Sequence, residues 1–247
     1  MIEVKHIRKV FNRGKDDEVI ALRDVSLQIP KGEFIVVIGA NGSGKTTLLK
    51  LIRGLYTPTQ GRVLLDGADM HQYSQSELAS HMGYLSQEVQ LLAMSLRDNI
   101  ALARPDASDE EIIRAAKRAQ AHEFIIDLPD GYGTKVGQGG HRFSAGQAKR
   151  IAIAQSLLND PPVMLLDEPT QGMGLEDVDR IRQLIKRVAA DRTVLMVEHN
   201  MNVVSNLSDT ITVLARGSVL AEGPYEIVSK DPRVLEAYVG STEEQHA

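Results

Sequence analysis

The sequence predicts an α/β fold with a strand-rich first part and a helical insertion, and three observations support this prediction. Short apolar runs alternate with turn residues over the first part of the chain, as in paired strands. Apolar residues change to helical spacing between residue 95 and about residue 158. The last part alternates apolar runs with helical patterns, which is typical of buried, mostly parallel strands.

The first part of the chain is predicted to form several short strands and one helix. Turn signals at residues 12–14 and 30–32 separate the early strands. The helix is predicted to begin at Gly44 and to end near Gly54. The strands are predicted at residues 2–7, 19–22, 24–29, 34–39 and 62–67.

The insertion carries clear helix signals. Ser108 and Glu111 form a capping-box pattern at the start of one helix, and a second helix is predicted over residues 145–158. The apolar positions at helical spacing are Ile112, Ala116 and Ala119 in the first helix and Ile151, Ala154 and Leu158 in the second. After the insertion, buried strands are predicted at residues 163–167, 193–198 and 210–215.

Composition and charge exclude several classes of protein. With 247 residues, 43% of them hydrophobic, the chain can bury a substantial core. Its 28 basic and 33 acidic side chains give a net charge of −5 without a basic block, so neither nucleic acid nor anionic lipid is an expected partner.

Membrane insertion and secretion are not expected either. The apolar runs are far shorter than the roughly 18 residues of a membrane span. The N-terminal residues alternate like a strand and lack the apolar stretch of a signal peptide, which predicts a cytoplasmic location. The chain has no cysteine, so disulfides and thiolate metal sites are excluded.

The segment GANGSGKT, residues 39–46, matches the phosphate-binding P-loop pattern between a predicted strand and a predicted helix. In this pattern backbone amides surround phosphate oxygens, Lys45 reaches the β- and γ-phosphates, and the Thr46 hydroxyl ligates Mg²⁺. An ordinary glycine-rich turn is the alternative. The predicted ATP-binding residues of this segment are Gly39, Ala40, Asn41, Gly42, Ser43, Gly44, Lys45, Thr46 and Thr47.

The segment VMLLDEP, residues 163–169, is a buried strand that ends in two carboxylates. Parallel sheets bind ligands at the carboxyl ends of their strands. Asp167 is a candidate Mg²⁺ ligand, and Glu168 is a candidate to orient or deprotonate the water that attacks the γ-phosphate. Alone, this pattern is more often a solvated strand end, but beside a P-loop the catalytic interpretation is favoured.

Further segments complete a family resemblance. YLSQE carries Gln87, RFSAGQ spans residues 142–147, VEHN carries His199, and KVFNRG carries Phe11. Together with the P-loop and VMLLDEP, in this order, they resemble the ATP-binding cassette (ABC) family over nearly the whole chain. The resemblance implies a P-loop NTPase (RecA-like) core with an N-terminal antiparallel β subdomain and an inserted α-helical subdomain. It implies one nucleotide-binding domain over residues 1–247, divided into 1–90, 91–160 and 161–247.

The resemblance also implies roles for single residues. Gln87 would sense the γ-phosphate and Mg²⁺, His199 would contact the γ-phosphate, and Phe11 would stack on adenine. Each has a structural alternative: Gln87 as a surface amide, His199 as a strand-end histidine, and Phe11 as a core residue of the first strands.

A short segment, called here the signature segment, stands where the family has its signature motif. It consists of Ser144, Ala145, Gly146 and Gln147. In the family, two cassettes pair head to tail and the signature of one faces the P-loop of the other, so this segment is expected to bind ATP held by a second copy or a homologous cassette. The predicted helix start and the Ser144 hydroxyl suit an anion. Helix capping by Ser144 is the structural alternative, and both roles can hold together.

The chain departs from the family pattern at several positions. Phe143 replaces leucine, Ala145 replaces the first signature glycine, and Gln138 replaces a usual glutamate. Ala145 would weaken the phosphate contact if it needs a positive φ, and would be neutral in a helical first turn. In EPTQGMG, residues 168–174, Gly174 stands where the family often has an aspartate in the D-loop, which puts communication between the two ATP sites in doubt. The end of this segment, residues 171–174, is called the D-loop here.

Different stretches resemble different branches of the family. Residues 95–140 resemble exporter cassettes, while EPTQGMGLEDVDRI and the C-terminal part resemble ATPase subunits of branched-chain amino-acid and related importers. The first third of the chain resembles other uptake-system ATPases. The resemblance implies an ATPase that drives a membrane transporter, bound on the inner face of the cell membrane through integral membrane permease subunits. Motion would pass to these subunits through Gln87 and the loop Thr134–Gly140. The alternatives are a nontransport ABC switch or scaffold and an inert dimerisation module.

Overall fold

The computed structural model describes residues 1–137 and 140–243. Gln138, one of the departures noted above, lies outside the described residues. The chain forms two compact units, one made of Met1–Leu78 with Thr193–Ala247 and the other of Ala79–Arg192. The division of the domain predicted at residues 90 and 160 stays a prediction.

The described residues contain the predicted strands in order and three strands that were not predicted, at residues 68–69, 82–85 and 218–223. They are β1 (Ile2–Phe11), β2 (Val19–Ile29), β3 (Phe34–Ile38), β4 (Gln60–Leu65), β5 (Ala68–Asp69), β6 (Met82–Leu85), β7 (Val163–Asp167), β8 (Thr193–Val197), β9 (Thr210–Ala215) and β10 (Ser218–Gly223).

Four helices of the described residues lie in the predicted helical insertion, and the others lie before and after it. They are α1 (Lys45–Ile52), α2 (Gln75–His81), α3 (Leu96–Ala101), α4 (Asp109–Arg118), α5 (His122–Ile126), α6 (Ala145–Leu157), α7 (Leu175–Ala189), α8 (Met201–Leu207), α9 (Tyr225–Val228) and α10 (Pro232–Glu243).

The first unit contains two groups of paired strands. Strands β2, β1, β4 and β5 form an antiparallel sheet in that order, which confirms the N-terminal antiparallel subdomain. Strand β3 lies between β8 and β9 and is parallel to both, while β10 is antiparallel to β9. All five side chains of β3 are buried, as a strand covered on both faces requires.

Two strand predictions need correction. Residues 19–22 and 24–29 form one strand, β2, because a register shift opposite Ile7 and Lys9 absorbs the exposed Arg23 and Asp24 between the buried Leu22 and Val25. The strand predicted over 62–67 is β4, residues 60–65. Asp66 and Gly67, both with positive φ, form the turn into β5.

The second unit consists of helices and a parallel strand pair. Strands β6 and β7 are parallel, and α6 contacts β6, α3 and α4. The capping box at Ser108 and Glu111 is present at the start of α4. The predicted apolar faces of α4 and α6, including Ile112, Ala116, Ile151 and Ala154, are buried. The predicted helical insertion is therefore confirmed.

The length and polarity of the helices bear on membrane insertion. Across residues 1–137 and 140–243, no helix combines the length and the apolar character that crossing a bilayer requires.

Candidate active site

The P-loop follows β3 and depends on glycines at two positions where no other residue fits. Gly39 has φ +152, and a Cβ there would lie 2.1 Å from the Leu214 carbonyl oxygen. Gly44 has φ +102, and a Cβ there would lie 2.6 Å from the Ala21 carbonyl oxygen. Both contacts are with backbone atoms, which cannot move aside without moving a strand. The loop is therefore held in a shape that only glycine permits.

Lys45, the first residue of α1, is buried and folded back along the loop. Its Nζ donates to the carbonyl oxygens of Gly39 at 2.8 Å and Ala40 at 3.0 Å. Thr46 and Thr47 follow in the first turn of α1 and are half-buried. The cationic amine and the helix start thus lie at one loop, which suits a phosphate ligand.

The P-loop is tied to the turn between β9 and β10. The Gly217 amide donates to the Ser43 carbonyl oxygen at 3.1 Å, and the Arg23 amide donates to the Gly217 carbonyl oxygen at 2.8 Å. A cavity of about 710 Å³ borders residues 39–43 and residues 213–216. These bonds fix one side of the loop, while Asn41 and Gly42 are exposed.

Phe11 is the last residue of β1 and is half-buried. Its ring meets the Tyr56 ring edge to face with centroids 5.5 Å apart, and the Lys9 ammonium lies 4.9 Å from its centroid. The contact with Tyr56 fits the core alternative as well as the adenine role. Stacking of Phe11 on adenine stays a prediction.

His199 follows β8, and a buried carboxylate that sequence reasoning missed fixes the turn beneath it. Glu198 accepts hydrogen bonds from the amides of His199 at 2.7 Å and Asn200 at 3.0 Å. The His199 imidazole lies 3.7 Å from the same carboxylate and remains largely exposed. An acidic residue directly before the histidine at the end of an apolar strand is the signal that could have identified Glu198.

In the second unit, β7 ends in the two predicted carboxylates. Asp167 is buried, and the Tyr84 hydroxyl donates to its Oδ2 at 3.4 Å. Glu168 is 7% exposed and has φ +44, a left-handed conformation that is uncommon for a residue with a side chain. Such a backbone persists only where neighbouring groups hold it.

The structure places the side chains of Gln87 and Glu168 in contact. The Gln87 Nε2 donates to Glu168 Oε2 at 3.2 Å and to the side-chain oxygen of Gln171 at 2.8 Å. This amide therefore bridges the candidate base and the first residue of the D-loop.

Lys149, in α6, is a second residue that the sequence did not single out. Its side chain is 4% exposed, and its Nζ donates to the Glu168 carbonyl oxygen at 2.7 Å. The Gln171 amide donates to the same oxygen at 3.2 Å. A lysine at a helix position whose spacing predicts burial is only a weak signal of a functional residue, because most helical lysines are solvated.

The signature segment opens α6 with a capping box. The Ser144 hydroxyl accepts from the Gln147 amide at 3.2 Å, and the Ser144 amide donates to Gln147 Oε1 at 3.0 Å. The predicted capping by Ser144 is therefore confirmed. Ala145 is the first helical residue and does not have a positive φ, so its methyl group causes no strain.

The other departures have local consequences. Phe143 lies among aromatic rings, 4.6 Å from the His141 ring centroid and 6.0 Å from that of Phe124. The Arg150 guanidinium lies 4.7 Å from the Phe124 centroid, and burial lowers the pKa of this guanidinium from its usual value. Gly174 is the N-cap of α7 and supplies no side-chain cap.

The comparisons with known proteins identify the family. The model of the family described as "ABC transporter" matches residues 22–171, more than half of the chain. The chain belongs to the ABC transporter family. As an ABC ATPase domain it binds ATP, and the P-loop NTPase fold predicted from the sequence is confirmed. A second model, described as "Branched-chain amino acid ATP-binding cassette transporter", matches residues 218–244 and agrees with the mixed resemblance of the sequence.

Relatives of this ABC domain are named as export proteins. A multidrug export ATP-binding/permease protein of Bacillus subtilis (strain 168) is 41% identical over 216 residues, which cover 87% of this chain and 37% of that protein. A protein of the same description from Staphylococcus aureus (strain NCTC 8325 / PS 47) is 37% identical over 230 residues, which cover 93% of this chain and 39% of that protein.

A solved structure of an ABC exporter is also similar to this chain. The structure of a bacterial Atm1-family ABC exporter with ATP bound matches with a TM-score of 0.85 and 30% identity, over 97% of this chain and 41% of that one. This chain therefore spans about two fifths of the length of each of these relatives.

Proposed function

We propose that this ABC domain pairs with a second copy of itself or a homologous cassette, hydrolyses the bound ATP to ADP and phosphate, and drives a membrane transporter. The hydrogen bond from Gln87 to Glu168, beside Asp167 at the end of β7, is the observation that carries the catalytic part. The match to ATP-binding/permease proteins and to an exporter carries the transport part.

The P-loop residues are proposed to bind the phosphates of ATP. The amides of the loop and the start of α1 favour anionic oxygens, and the Lys45 ammonium would turn from the carbonyl oxygens of Gly39 and Ala40 to the β- and γ-phosphates. Phe11 would stack on adenine. Glycine at residues 39 and 44 keeps the loop in this shape, because a Cβ at either position would meet the backbone of Leu214 or Ala21.

Mg²⁺ is proposed to bind through oxygen donors of this chain. The hydroxyl of Thr46, the side-chain oxygen of Gln87 and the carboxylate of Asp167 are the hard donors that Mg²⁺ prefers. When bound, Mg²⁺ neutralises charge that develops on the transferred phosphoryl group.

Glu168 is proposed to be the general base. Its carboxylate would accept the proton of the attacking water, and Gln87 would hold that carboxylate in place. His199, set by the Glu198 carboxylate, would donate to the γ-phosphate. Lys45 would stabilise the same phosphate as its charge grows.

The signature segment is proposed to contact ATP held by the partner cassette. Ser144 and the Gly146 amide lie at the start of α6, where the helix dipole favours an anion. ATP would thus close a dimer, and hydrolysis would reopen it.

Integral membrane permease subunits are the proposed further partners, and they would hold the domain at the inner face of the cell membrane. Gln87 and the loop from Thr134 to Gly140 would pass the closing motion to them. A nontransport role has no observation in its favour. Copurification with integral membrane proteins distinguishes the two roles.

The first experiment compares steady-state ATP hydrolysis and size-exclusion chromatography in ATP for the wild type and Glu168→Gln. Removal of the base should lower the rate roughly a hundredfold to ten-thousandfold and leave a trapped dimer. Glu110→Gln is the matched control, because Glu110 is an exposed residue of α4.

Two results would contradict the proposal. A Glu168→Gln variant that hydrolyses ATP at the wild-type rate would remove Glu168 as the base. A wild type that neither hydrolyses ATP nor dimerises would favour the inert dimerisation module or a requirement for another subunit.

A further inference from the structure

Lys149 is a buried basic residue that the proposed reaction does not use. It lies in the second turn of α6, four residues after Ala145, so both residues share one face of the helix. With 4% exposure it is among the few buried charged side chains. Lysine is almost never buried to this degree without a polar partner, because its desolvation is costly.

Lys149 donates a hydrogen bond to the backbone of the proposed base. Its Nζ donates to the Glu168 carbonyl oxygen at 2.7 Å, a short charge-assisted hydrogen bond between residues 19 positions apart. The same oxygen accepts the Gln171 amide at 3.2 Å. The carbonyl group therefore has two donors, one from α6 and one from the D-loop.

The bond acts on a backbone that needs support. Glu168 has φ +44, and the residue that follows is Pro169, which has no amide proton to donate. The orientation of the peptide between Glu168 and Pro169 sets both the direction of the Glu168 side chain and the path into the D-loop. A fixed ammonium on its carbonyl oxygen holds that peptide in one orientation.

We propose that Lys149 is a positioning residue that ties the catalytic base Glu168 to the helix carrying the signature segment. One turn of α6 separates Lys149 from the residues that are proposed to meet the partner's ATP. A shift of α6 on that contact is transmitted to Glu168, which acts on the chain's own ATP. This link needs no side chain at Gly174, where the family often has an aspartate. The inference rests on the proposed function for its catalytic part.

Lys149→Met tests the inference because methionine keeps the length of the side chain and removes the donor. We expect kcat for ATP hydrolysis to fall roughly tenfold to a hundredfold with KM for ATP unchanged, since a small displacement of a catalytic group costs rate rather than binding. Lys149→Arg keeps a charged donor and should recover part of the lost rate. Lys186→Met is the matched control, because Lys186 is an exposed lysine of α7.

A second measurement follows the backbone itself. Hydrogen exchange of the amides in residues 170–174 should be faster in Lys149→Met than in the wild type, and unchanged in Lys186→Met. In the Glu168→Gln background, Lys149→Met should still form the ATP-trapped dimer. These results separate a loss of positioning from a loss of binding.

The inference is overturned if Lys149→Met hydrolyses ATP at the wild-type rate. It is overturned as well if the decrease in kcat of Lys149→Met and Lys149→Arg parallels the decrease in their Tm, as a purely structural role requires. It is also overturned if exchange in residues 170–174 does not change. Exchange needs no turnover, so an inactive wild type would count against the proposed function while the exchange data still decide the anchoring by Lys149. If Lys149→Met does not fold, Lys149→Leu, which also removes the donor, is compared with Lys149→Arg in the same two measurements.

Discussion

The two helix starts that are proposed to bind phosphate, at α1 and at α6, are built in different ways. The N-cap of α1 is Gly44, which has φ +102 and no side-chain cap. The N-cap of α6 is Ser144, which has an extended backbone and a reciprocal capping box with Gln147. The first start depends on neighbouring strands that leave no room for a Cβ, and the second on hydrogen bonds within four residues.

This difference means that a side chain strains the backbone at the start of α1 but not at the start of α6. Ala145 follows the cap and lies in an ordinary helical turn, so a methyl group there causes no backbone strain. At Gly44 any side chain would meet backbone of β2 in a left-handed conformation. The start of α6 thus accepts a methyl group at Ala145, while the start of α1 leaves no room for one at Gly44.

The largest expected effect is that of Gly44→Ala. A Cβ would lie 2.6 Å from the Ala21 carbonyl oxygen, so the loop or β2 must move. We expect the free energy of unfolding to fall by roughly 2–4 kcal/mol and ATP binding to be lost. Urea denaturation and binding of a fluorescent ATP analogue measure the two effects.

Gly14→Ala is the control for this comparison. Gly14 also has a positive φ, +76, but a Cβ there would meet nothing within 4 Å. The free energy of unfolding of Gly14→Ala should fall only by the cost of a positive φ for alanine, about 1 kcal/mol. Equal decreases in the free energy of unfolding of Gly14→Ala and Gly44→Ala would show that the tertiary contact at Gly44 is unimportant.

Ser144→Ala should have an intermediate effect. Loss of the cap costs about 1 kcal/mol of unfolding free energy, and loss of the hydroxyl should weaken ATP-dependent dimer formation. Ser144→Asp separates the two roles, since aspartate caps well but places a negative charge toward the partner's phosphate. Denaturation and size-exclusion chromatography in ATP should then show restored stability without restored dimerisation. Recovery of both by aspartate would reduce Ser144 to a capping residue.

The smallest effect is expected from Ala145→Gly, which restores the family's glycine. Glycine in a helical turn lowers the free energy of unfolding by about 0.5–1 kcal/mol relative to alanine. The rate of ATP hydrolysis should stay at the wild-type value, because the methyl group causes no backbone strain. Thermal denaturation and a steady-state assay measure both quantities. A marked rise in the rate would mean that the Ala145 methyl group obstructs the partner's phosphate.

The sequence by itself determined the features that depend on near neighbours in the chain. The capping box at Ser108, the cap at Ser144 and the P-loop pattern each lie within a few consecutive residues, so their residue types identify them. The buried strands β3 and β7 were predictable from their apolar runs for the same reason. The ordered motifs also indicated the family correctly.

The tertiary structure decided what depends on residues far apart in the chain. The hydrogen bond of Lys149 to Glu168 and the packing of Gly39 on Leu214 connect positions whose proximity no local pattern reveals. The continuity of β2 was decided by its pairing with β1, because a register shift can absorb two polar residues that look like a turn. The consequence of Ala145 likewise depended on its φ angle, and that angle is set by the cap and the packing of α6 rather than by the motif itself.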